Sequence, residues 1–226
     1  MTSTPTPTNT RPDAVILDYN GVIGRQPTLA QWLRLARTAS WPEDDLHGFQ
    51  QAFWNAREPY DEGRLSNLAY WTQVLSHHPG PRLLRDLLAA DTAMWTTTDD
   101  HVTAILGRAH RDGLRMALLS NAPAHLSDVL DTQPWRRLLT HALYSARLQV
   151  CKPDPAAYRH AFAALGDPDP RRVLFVDDRD DNCHAARALG LRALHYTGRP
   201  YDLDAAIPPT CRGHASRVRG MGGDGL

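Results

Sequence analysis

Short apolar runs alternate along the chain with segments in which apolar residues recur at helical spacing. Short, mostly apolar runs of this kind are typical of strands buried in a parallel sheet. Four of the runs are clear and a fifth is weaker. In chain order the clear runs are Ala14–Leu17, Leu114–Leu119, Val173–Val176 and Ala193–Tyr196, and the weaker one is Ala142–Tyr144.

Helical patterns separate most of these runs. The clearest predicted helix spans Pro155–Leu165, with Asp154 as its N-cap, proline at its first position and Gly166 just past its end. Another spans Asn182–Leu189 and stops at Gly190. Strands that alternate with helices predict an α/β fold, a Rossmann-like parallel sheet flanked by helices.

The stretch 26–98 has helical periodicity and no convincing strand. Ser40 to Glu43 is a capping-box pattern that predicts the start of its second helix. Five of the six tryptophans of the chain lie in this stretch, where their usual role is to form the core of a small helical bundle and the alternative role for one or two of them is to line a substrate pocket. The apolar faces of the four predicted helices are Leu29, Trp32, Leu33 and Ala36; Leu46, Phe49 and Phe53; Leu68, Trp71 and Leu75; and Leu83, Leu84, Leu87 and Leu88.

These patterns predict how the chain is divided. Segments 13–25 and 99–207 are predicted to form the α/β core, and segment 26–98 is an all-helical insert directly after the first strand. Residues 1–12, which are rich in Thr and Pro, and residues 208–226, which are rich in Gly, Pro and Arg, are predicted to be disordered tails because neither can bury apolar surface.

Composition excludes some classes of partner. The formal net charge is zero, with 25 basic and 25 acidic side chains, so we expect neither nucleic acid nor an anionic membrane as a partner. No apolar run is long enough to span a membrane, and the first residues lack the apolar stretch of a signal peptide. Cys151, Cys183 and Cys211 show no metal- or redox-type spacing, which favours free thiols and a cytoplasmic location.

Polar residues that could bind a ligand or take part in a reaction follow the first two clear strands, at the position where ligands bind in open α/β sheets. Asp18 comes directly after the first strand and is followed by Asn20-Gly21, a pattern that more often marks a simple turn. Ser120 and Asn121 come after the second, where a hydroxyl and backbone N–H groups can hold a phosphate oxygen or merely cap a helix.

Lys152 is unusual because the chain has 24 arginines and this single lysine. A position that stays lysine against such a bias indicates a need for a compact ammonium group rather than a planar guanidinium. The alternative is an ordinary surface lysine. Lys152 directly precedes the well-capped helix that begins at Pro155.

Adjacent carboxylates follow the third clear strand in the run Asp177-Asp178-Arg179-Asp180-Asp181. Such groups repel one another unless a cation is bound nearby, and Mg²⁺ prefers one or two carboxylates together with water and phosphate. The alternative is an acidic helix start stabilised by the helix dipole. That alternative explains Asp180 and Asp181 better than Asp177 and Asp178.

The order of these residues, an Asp, then a Ser, then a Lys, then paired Asp, resembles the four motifs of the haloacid-dehalogenase superfamily over about residues 13–205. The stretches LLSNAP, CKPDPAAY and FVDDRDDNCHAARALG are similar to its phosphatase-like branch, and the helical insert resembles the cap of that branch. The resemblance implies a Mg²⁺-dependent phosphatase that acts on a small phosphorylated metabolite.

The resemblance also implies roles for the residues around the phosphoryl group. Asp18 would attack phosphorus and become an aspartyl phosphate, which splits one difficult displacement into two easier ones. Ser120 and backbone N–H groups near Asn121 would hold phosphoryl oxygens. Lys152 would neutralise charge on both Asp18 and the phosphoryl group.

The metal would be held, by the same resemblance, by Asp18, the backbone carbonyl of Asn20, and Asp178 with Asp177 beside it. Position 20 departs from the family pattern, in which an aspartate serves there as general acid and base. Asparagine cannot transfer a proton, and such assistance is typically worth ~10²–10⁴-fold in rate.

Three interpretations of Asn20 follow: a slow phosphatase, an enzyme for substrates with good leaving groups, or a different reaction. A histidine of the helical insert, such as His47 or His77, is one candidate for another proton donor. Two further functions compete with a phosphatase, namely a phosphate-binding protein that has lost catalysis and a metal-independent 2-haloacid dehalogenase. The dehalogenase is disfavoured because those enzymes lack the paired carboxylates that stand here at Asp177 and Asp178.

Overall fold

The computed structural model describes residues 11–210. The disorder predicted for residues 1–10 and 211–226, and the state of Cys211, lie outside the described residues. Cys151 and Cys183 are buried free thiols, as expected.

The ends of the described range contact the body of the protein. Arg11 donates hydrogen bonds to the carboxylate of Asp112 and the carbonyl of Pro208, at 3.1 and 2.8 Å. The backbone N–H of Thr210 donates to the same carboxylate. These residues lie at the inner ends of the two predicted tails, where hydrogen bonds to residues distant in the chain hold them beside the end of a core helix.

A five-stranded, fully parallel sheet with the order β3-β2-β1-β4-β5 lies at the centre of the fold. All five predicted strands are confirmed, and each strand begins and ends within one residue of the predicted position. The central strand has neighbours on both sides and helices over both faces, so all of its residues are fully buried. The strands are β1 (Ala14–Leu17), β2 (Arg115–Ser120), β3 (His141–Tyr144), β4 (Val173–Asp177) and β5 (Arg192–His195).

Helices cover the sheet and form the insert between β1 and β2. Alternate residues of a strand point to opposite faces, so Val15 and Leu17 pack into one apolar cluster and Ala14 and Ile16 into another. The helices are α1 (Leu29–Thr38), α2 (Leu46–Asn55), α3 (Arg57–Asp61), α4 (Asn67–Leu75), α5 (Pro81–Trp95), α6 (Asp100–Arg111), α7 (Ala124–Asp131), α8 (Ser145–Leu148), α9 (Pro155–Ala164), α10 (Asp180–Ala188) and α11 (Pro200–Ala206).

Helices α1 to α5 make up the insert, and four of them are the predicted ones. The second begins at Leu46 with Asp45 as its N-cap, so the capping-box prediction at Ser40 was wrong: the Asp45 side chain accepts from the N–H of Gly48. Helix α3 was not predicted, because its buried residues include the charged pair Arg57 and Asp61 and form no apolar stripe.

The insert leaves and rejoins the rest of the protein at one place. Isolated bridges pair Asn20 with Gly24 and Gly24 with Thr98, and the N–H of Arg25 donates to the carbonyl of Thr97. The two connecting segments therefore run side by side just above the carboxyl end of β1. Within residues 11–210, no helix combines the length and apolar character needed to cross a bilayer.

Candidate active site

The carboxyl ends of the three central strands bring the predicted site residues together. Asp18 follows β1, Ser120 ends β2 and Asp177 ends β4, and β1 lies between the other two strands. Because parallel strands end at the same edge of a sheet, these side chains surround one opening. A cavity of about 540 Å³ lies there, between the sheet and the insert; the predicted residues that border it are Asp18, Asn20, Ser120, Asn121, Lys152 and Asp178.

Lys152 is buried and lies between two carboxylates. Its Nζ donates to Asp18 Oδ1 and to Asp177 Oδ2, each at 2.7 Å, and its side chain is 1% exposed. Burial alone lowers the pKa of Lys152, but the carboxylates of Asp177 and Asp18 outweigh it and raise the pKa. The ammonium group is therefore charged at neutral pH, and the surface-lysine alternative is excluded.

Asn121 holds the backbone that carries this lysine. Its side-chain Nδ2 donates to the carbonyl of Lys152, and the N–H of Lys152 donates to Asn121 Oδ1, both at 2.9 Å. The amide side chain thus ties the loop after β2 to the loop before α9. Because its side chain is used in positioning Lys152, the backbone of this loop and Ser120 remain to face the cavity.

Asp177 is the other anchor of Lys152. Its Oδ1 accepts from the N–H of Arg179 at 2.9 Å and from Asn182 Nδ2 at 3.0 Å, and its Oδ2 accepts from Lys152 and from Asn182 Nδ2. The residue is fully buried and does not border the cavity. Both oxygens are thus already bound by protein donors.

Asp178 reaches the cavity because position 21 is glycine. Gly21 has a φ of +78°, and a Cβ built there would lie 2.2 Å from Asp178 Oδ2. Gln26 Nε2 donates to that oxygen at 2.7 Å. Sequence reasoning missed Gln26, which lies in the connection to the insert and carries no local signal of its contact.

Three carboxylates face one ammonium group at this place. Asp18, Asp177 and Asp178 offer oxygens that all lie within 4.8 Å of one another. Burial and the carboxylates of Asp177 and Asp178 raise the pKa of Asp18, Lys152 lowers it, and the resulting pKa is about 7. Burial and the neighbouring Asp177 likewise raise the pKa of Asp178.

This excess of negative charge and the all-oxygen donors fit a Mg²⁺ ion, which is a hard cation that prefers carboxylates. A divalent charge would offset the repulsion that raises both pKa values. The predicted Asn20 lies beside this group: its Nδ2 donates to Gln26 Oε1 at 3.4 Å, and its Oδ1 is buried with no hydrogen-bond partner among residues 11–210.

The insert supplies the other wall of the cavity. Trp54 and Trp95 border it, which is the alternative role for one or two of the tryptophans, and Trp54 is 48% exposed. His47 and His77 are exposed on the insert and do not border the cavity, so neither is placed to donate a proton there.

A buried charged network also lies in this wall, and sequence reasoning missed it. Arg57 Nε donates to Asp61 Oδ1 at 2.7 Å, and its Nη1 lies 3.6 Å from Asp91 Oδ1. The guanidinium lies over the ring of Phe53, 4.9 Å from its centroid. His125, at the start of α7, places its Nε2 3.5 Å from Asp91 Oδ2 and so connects the network to the α/β core.

The parallel sheet carries an aspartate, a lysine and a pair of carboxylates at its carboxyl edge, beneath a helical insert, which is the architecture of an α/β enzyme with its site at the strand ends. A family model described as haloacid dehalogenase-like hydrolase matches residues 12–190. The chain therefore belongs to the haloacid dehalogenase-like hydrolase family.

Individual proteins similar to this chain are consistent with its membership of that family. A sesquiterpene phosphatase of Aspergillus oryzae is 28% identical over 100 residues, which are 44% of this chain and 50% of that protein, so the chain spans about half the length of this curated relative. A haloacid-dehalogenase-family enzyme of Bacteroides thetaiotaomicron has a TM-score of 0.65 at 15% identity, over 84% of this chain and 95% of that one.

The L-2-haloacid dehalogenase of Xanthobacter autotrophicus is also similar in structure. Its TM-score is 0.59 at 19% identity, over 80% of this chain and 76% of that one. At such low identity, the two structural comparisons show a shared fold and do not distinguish between reactions.

Proposed function

We propose that this hydrolase is a Mg²⁺-dependent phosphatase that acts on a small phosphorylated metabolite through an aspartyl phosphate at Asp18. The observation that carries the proposal is the position of Lys152, whose ammonium group is buried between Asp18 and Asp177 while Asp178 faces the cavity. A metal-independent dehalogenase has no use for a second carboxylate aimed into the cavity.

The residues at the edge of the sheet each have a defined part in this reaction. A carboxylate oxygen of Asp18 attacks phosphorus, the electron pair of the breaking ester P–O bond stays on the ester oxygen, and that oxygen takes a proton and leaves as the alcohol. The charge of Lys152 opposes the effect of burial and so favours the ionised form of Asp18 that this attack needs. Ser120 and the backbone N–H groups near Asn121 hold the phosphoryl oxygens. Water then attacks the phosphorus of the aspartyl phosphate and releases inorganic phosphate.

The metal ligands we propose are Asp18, Asp178 and the backbone carbonyl of Asn20. The ion supplies charge neutralisation of the phosphoryl oxygens when it is bound. Asp177 was also expected among the ligands, but both of its oxygens are bound by protein donors and the residue is fully buried. We therefore assign Asp177 to holding Lys152 in place.

The comparisons support this function. The curated relative is a sesquiterpene phosphatase. The enzyme of Bacteroides thetaiotaomicron has been solved with magnesium and inorganic phosphate. The aromatic side chains of Trp54 and Trp95 at the cavity can pack against an apolar organic group. A substrate panel should therefore include a C15 isoprenoid monophosphate beside sugar phosphates and other polar esters.

The test measures phosphate release from that panel with Mg²⁺ and with EDTA. We expect turnover that needs Mg²⁺ and that is lost in the Asp18→Asn and Asp178→Asn variants. Asp180→Asn is the matched control, because Asp180 belongs to the same acidic run but is exposed and pairs with His184 and Arg187. Turnover that survives both EDTA and Asp178→Asn would contradict the metal-assisted mechanism.

The two competing functions predict different results in the same assay. A phosphate-binding protein without catalysis would bind inorganic phosphate in the presence of Mg²⁺ and release none from any ester. A dehalogenase would release chloride from 2-chloropropionate in the presence of EDTA. Either result would replace the phosphatase proposal.

A further inference from the structure

Two carboxyl groups share one guanidinium in the wall that the insert gives to the cavity. Asp91 is fully buried behind Arg57, whereas Asp61 borders the same cavity as Asp18 and Asn20. The network is charged and lies where a substrate would be enclosed. Neither carboxyl group has a role in the reaction described above.

The environment shifts the pKa values of these two carboxyl groups in opposite directions. Asp91 accepts from Trp95 Nε1 at 2.9 Å and lies beside Arg57 and His125, and these groups outweigh burial and lower its pKa. Burial raises the pKa of Asp61 to about 6, although Arg57 opposes it. Paired groups with pKa values displaced in opposite directions are typical of acid–base roles.

Three charged or titratable side chains lie close to Asp61 and affect its pKa. They are Arg57 on its own helix, Asp91 on α5 and His125 on α7. Arg57 lies beside both carboxylates, whereas Trp95 donates to Asp91 and the His125 ring lies 3.5 Å from it. A proton that the network takes up as the pH falls toward 6 therefore binds to Asp61 rather than to Asp91.

The position of Asp61 is fixed on two sides. Arg57 Nε holds its Oδ1 at 2.7 Å, and its backbone carbonyl accepts from the hydroxyl of Ser145, at the start of α8 in the α/β core. Among the described residues the donor found for this carboxyl group is Arg57, which binds Oδ1, and Oδ2 is not one of the fully buried atoms that lack a partner. The side chain is 11% exposed, so Oδ2 belongs to an otherwise enclosed group.

We propose that Asp61 donates the proton to the leaving-group oxygen, in place of the carboxylate that position 20 lacks. The inference rests on the proposed phosphatase function. As Asp18 attacks phosphorus, the electron pair of the ester P–O bond stays on oxygen and takes the Asp61 proton, so the alcohol leaves neutral. The Asp61 carboxylate then removes a proton from the water that attacks the aspartyl phosphate, and the acid is restored.

The test compares benzyl phosphate with 4-nitrophenyl phosphate, which are similar in size but differ in leaving group. Benzyl alkoxide needs a proton to depart and 4-nitrophenolate does not. Asp61→Asn keeps an oxygen that can accept from Arg57 but carries no acidic proton. We expect it to lower kcat for benzyl phosphate by ~10²-fold and kcat for 4-nitrophenyl phosphate by less than about threefold.

Two further variants separate catalysis from structure. Glu62→Gln is the matched control, since Glu62 directly follows Asp61, pairs with Arg64 and does not border the cavity. It should leave the ratio of the two rates unchanged. Asn20→Asp should restore benzyl phosphate turnover in the Asp61→Asn variant by at least ~10-fold, because it supplies an acid at the other position.

The outcomes are distinct. An equal loss of rate on both esters would overturn the role of Asp61. The same conclusion would follow if thermal unfolding showed that the Asp61→Asn protein has lost its fold and if Asn20→Asp restored no turnover. Turnover of both esters by the wild type with an unchanged ratio in Asp61→Asn would overturn it too, while leaving the phosphatase function intact. Absence of Mg²⁺-dependent turnover in the wild type would overturn both.

Discussion

Replacing Gly21 by alanine tests whether the close approach of Asp178 to the loop after β1 forms the metal site. Gly21 has a φ of +78°, and a Cβ added there would lie 2.2 Å from Asp178 Oδ2 and 2.5 Å from its Cγ. Gly113 is the matched control. It has a φ of +76°, and a Cβ added there meets nothing within 4 Å.

The two substitutions share a backbone cost, and only Gly21→Ala adds a steric clash. The left-handed backbone costs an alanine ~1–2 kcal/mol at either position, so both variants should lose that much unfolding free energy. Only at position 21 is the methyl group also roughly 1 Å too close to a carboxylate, measured against ordinary van der Waals contact. Asp178 must then move away from Gln26 and from Asp18, and a misplacement of this size can cost ~10²-fold in rate.

Two measurements separate the effects. Thermal unfolding with and without Mg²⁺ reports binding without any need for turnover, and the Mg²⁺ concentration that gives half-maximal hydrolysis of 4-nitrophenyl phosphate reports it during turnover. We expect Gly113→Ala to keep both responses. Gly21→Ala should lose the Mg²⁺-induced stabilisation, need at least ~10-fold more Mg²⁺, and show a kcat lower by ~10²-fold.

The reasoning would be refuted by a Gly21→Ala variant that responds to Mg²⁺ as the Gly113→Ala variant does. Asp178 would then not be a ligand, or its side chain would have another position from which to bind. If both variants lost the response to Mg²⁺, the cause would instead be general destabilisation of the protein.

Three other predictions concern the groups around Asp18. Lys152→Arg should lower kcat by at least ~10²-fold, because a planar guanidinium cannot replace a point charge held at 2.7 Å from two carboxylates; full activity in steady-state assays would make the lone lysine an accident of composition. Asn121→Ala removes both 2.9 Å bonds to the Lys152 backbone, so urea unfolding should show a loss of about 2 kcal/mol, and an unchanged midpoint would count against this link. Asp61 has a folded pKa of about 6, above its ordinary value of 3.8, so it stabilises the fold most below pH ~4 and this contribution is lost as pH rises through 6. Between pH 4 and 7 the wild type should therefore lose about 2–3 kcal/mol more unfolding free energy than Asp61→Asn, and parallel pH curves would show that Asp61 is not the titrating group.

Sequence periodicity was enough to predict the sheet, most helices and the residues that gather at its edge. Strand and helix periods are local, and in a parallel α/β sheet all strands end at one edge, so Asp18 and Ser120 could be assigned to a common site before any contact was known. Composition singled out Lys152 as the lone lysine, and the structure places its ammonium group between the carboxylates of Asp18 and Asp177.

Tertiary packing decided what the periods do not encode. Whether Asp177 binds a metal or holds Lys152 depends on which donors other segments bring to its two oxygens, here Asn182 and the N–H of Arg179. Whether Arg57 and Asp61 form a solvated helix face or a buried pair depends on α5 and α7 packing against α3. A charged residue has the same local pattern in either case, because its burial is set by partners distant in the chain, and so the acid–base network of the insert could be found only in the folded protein.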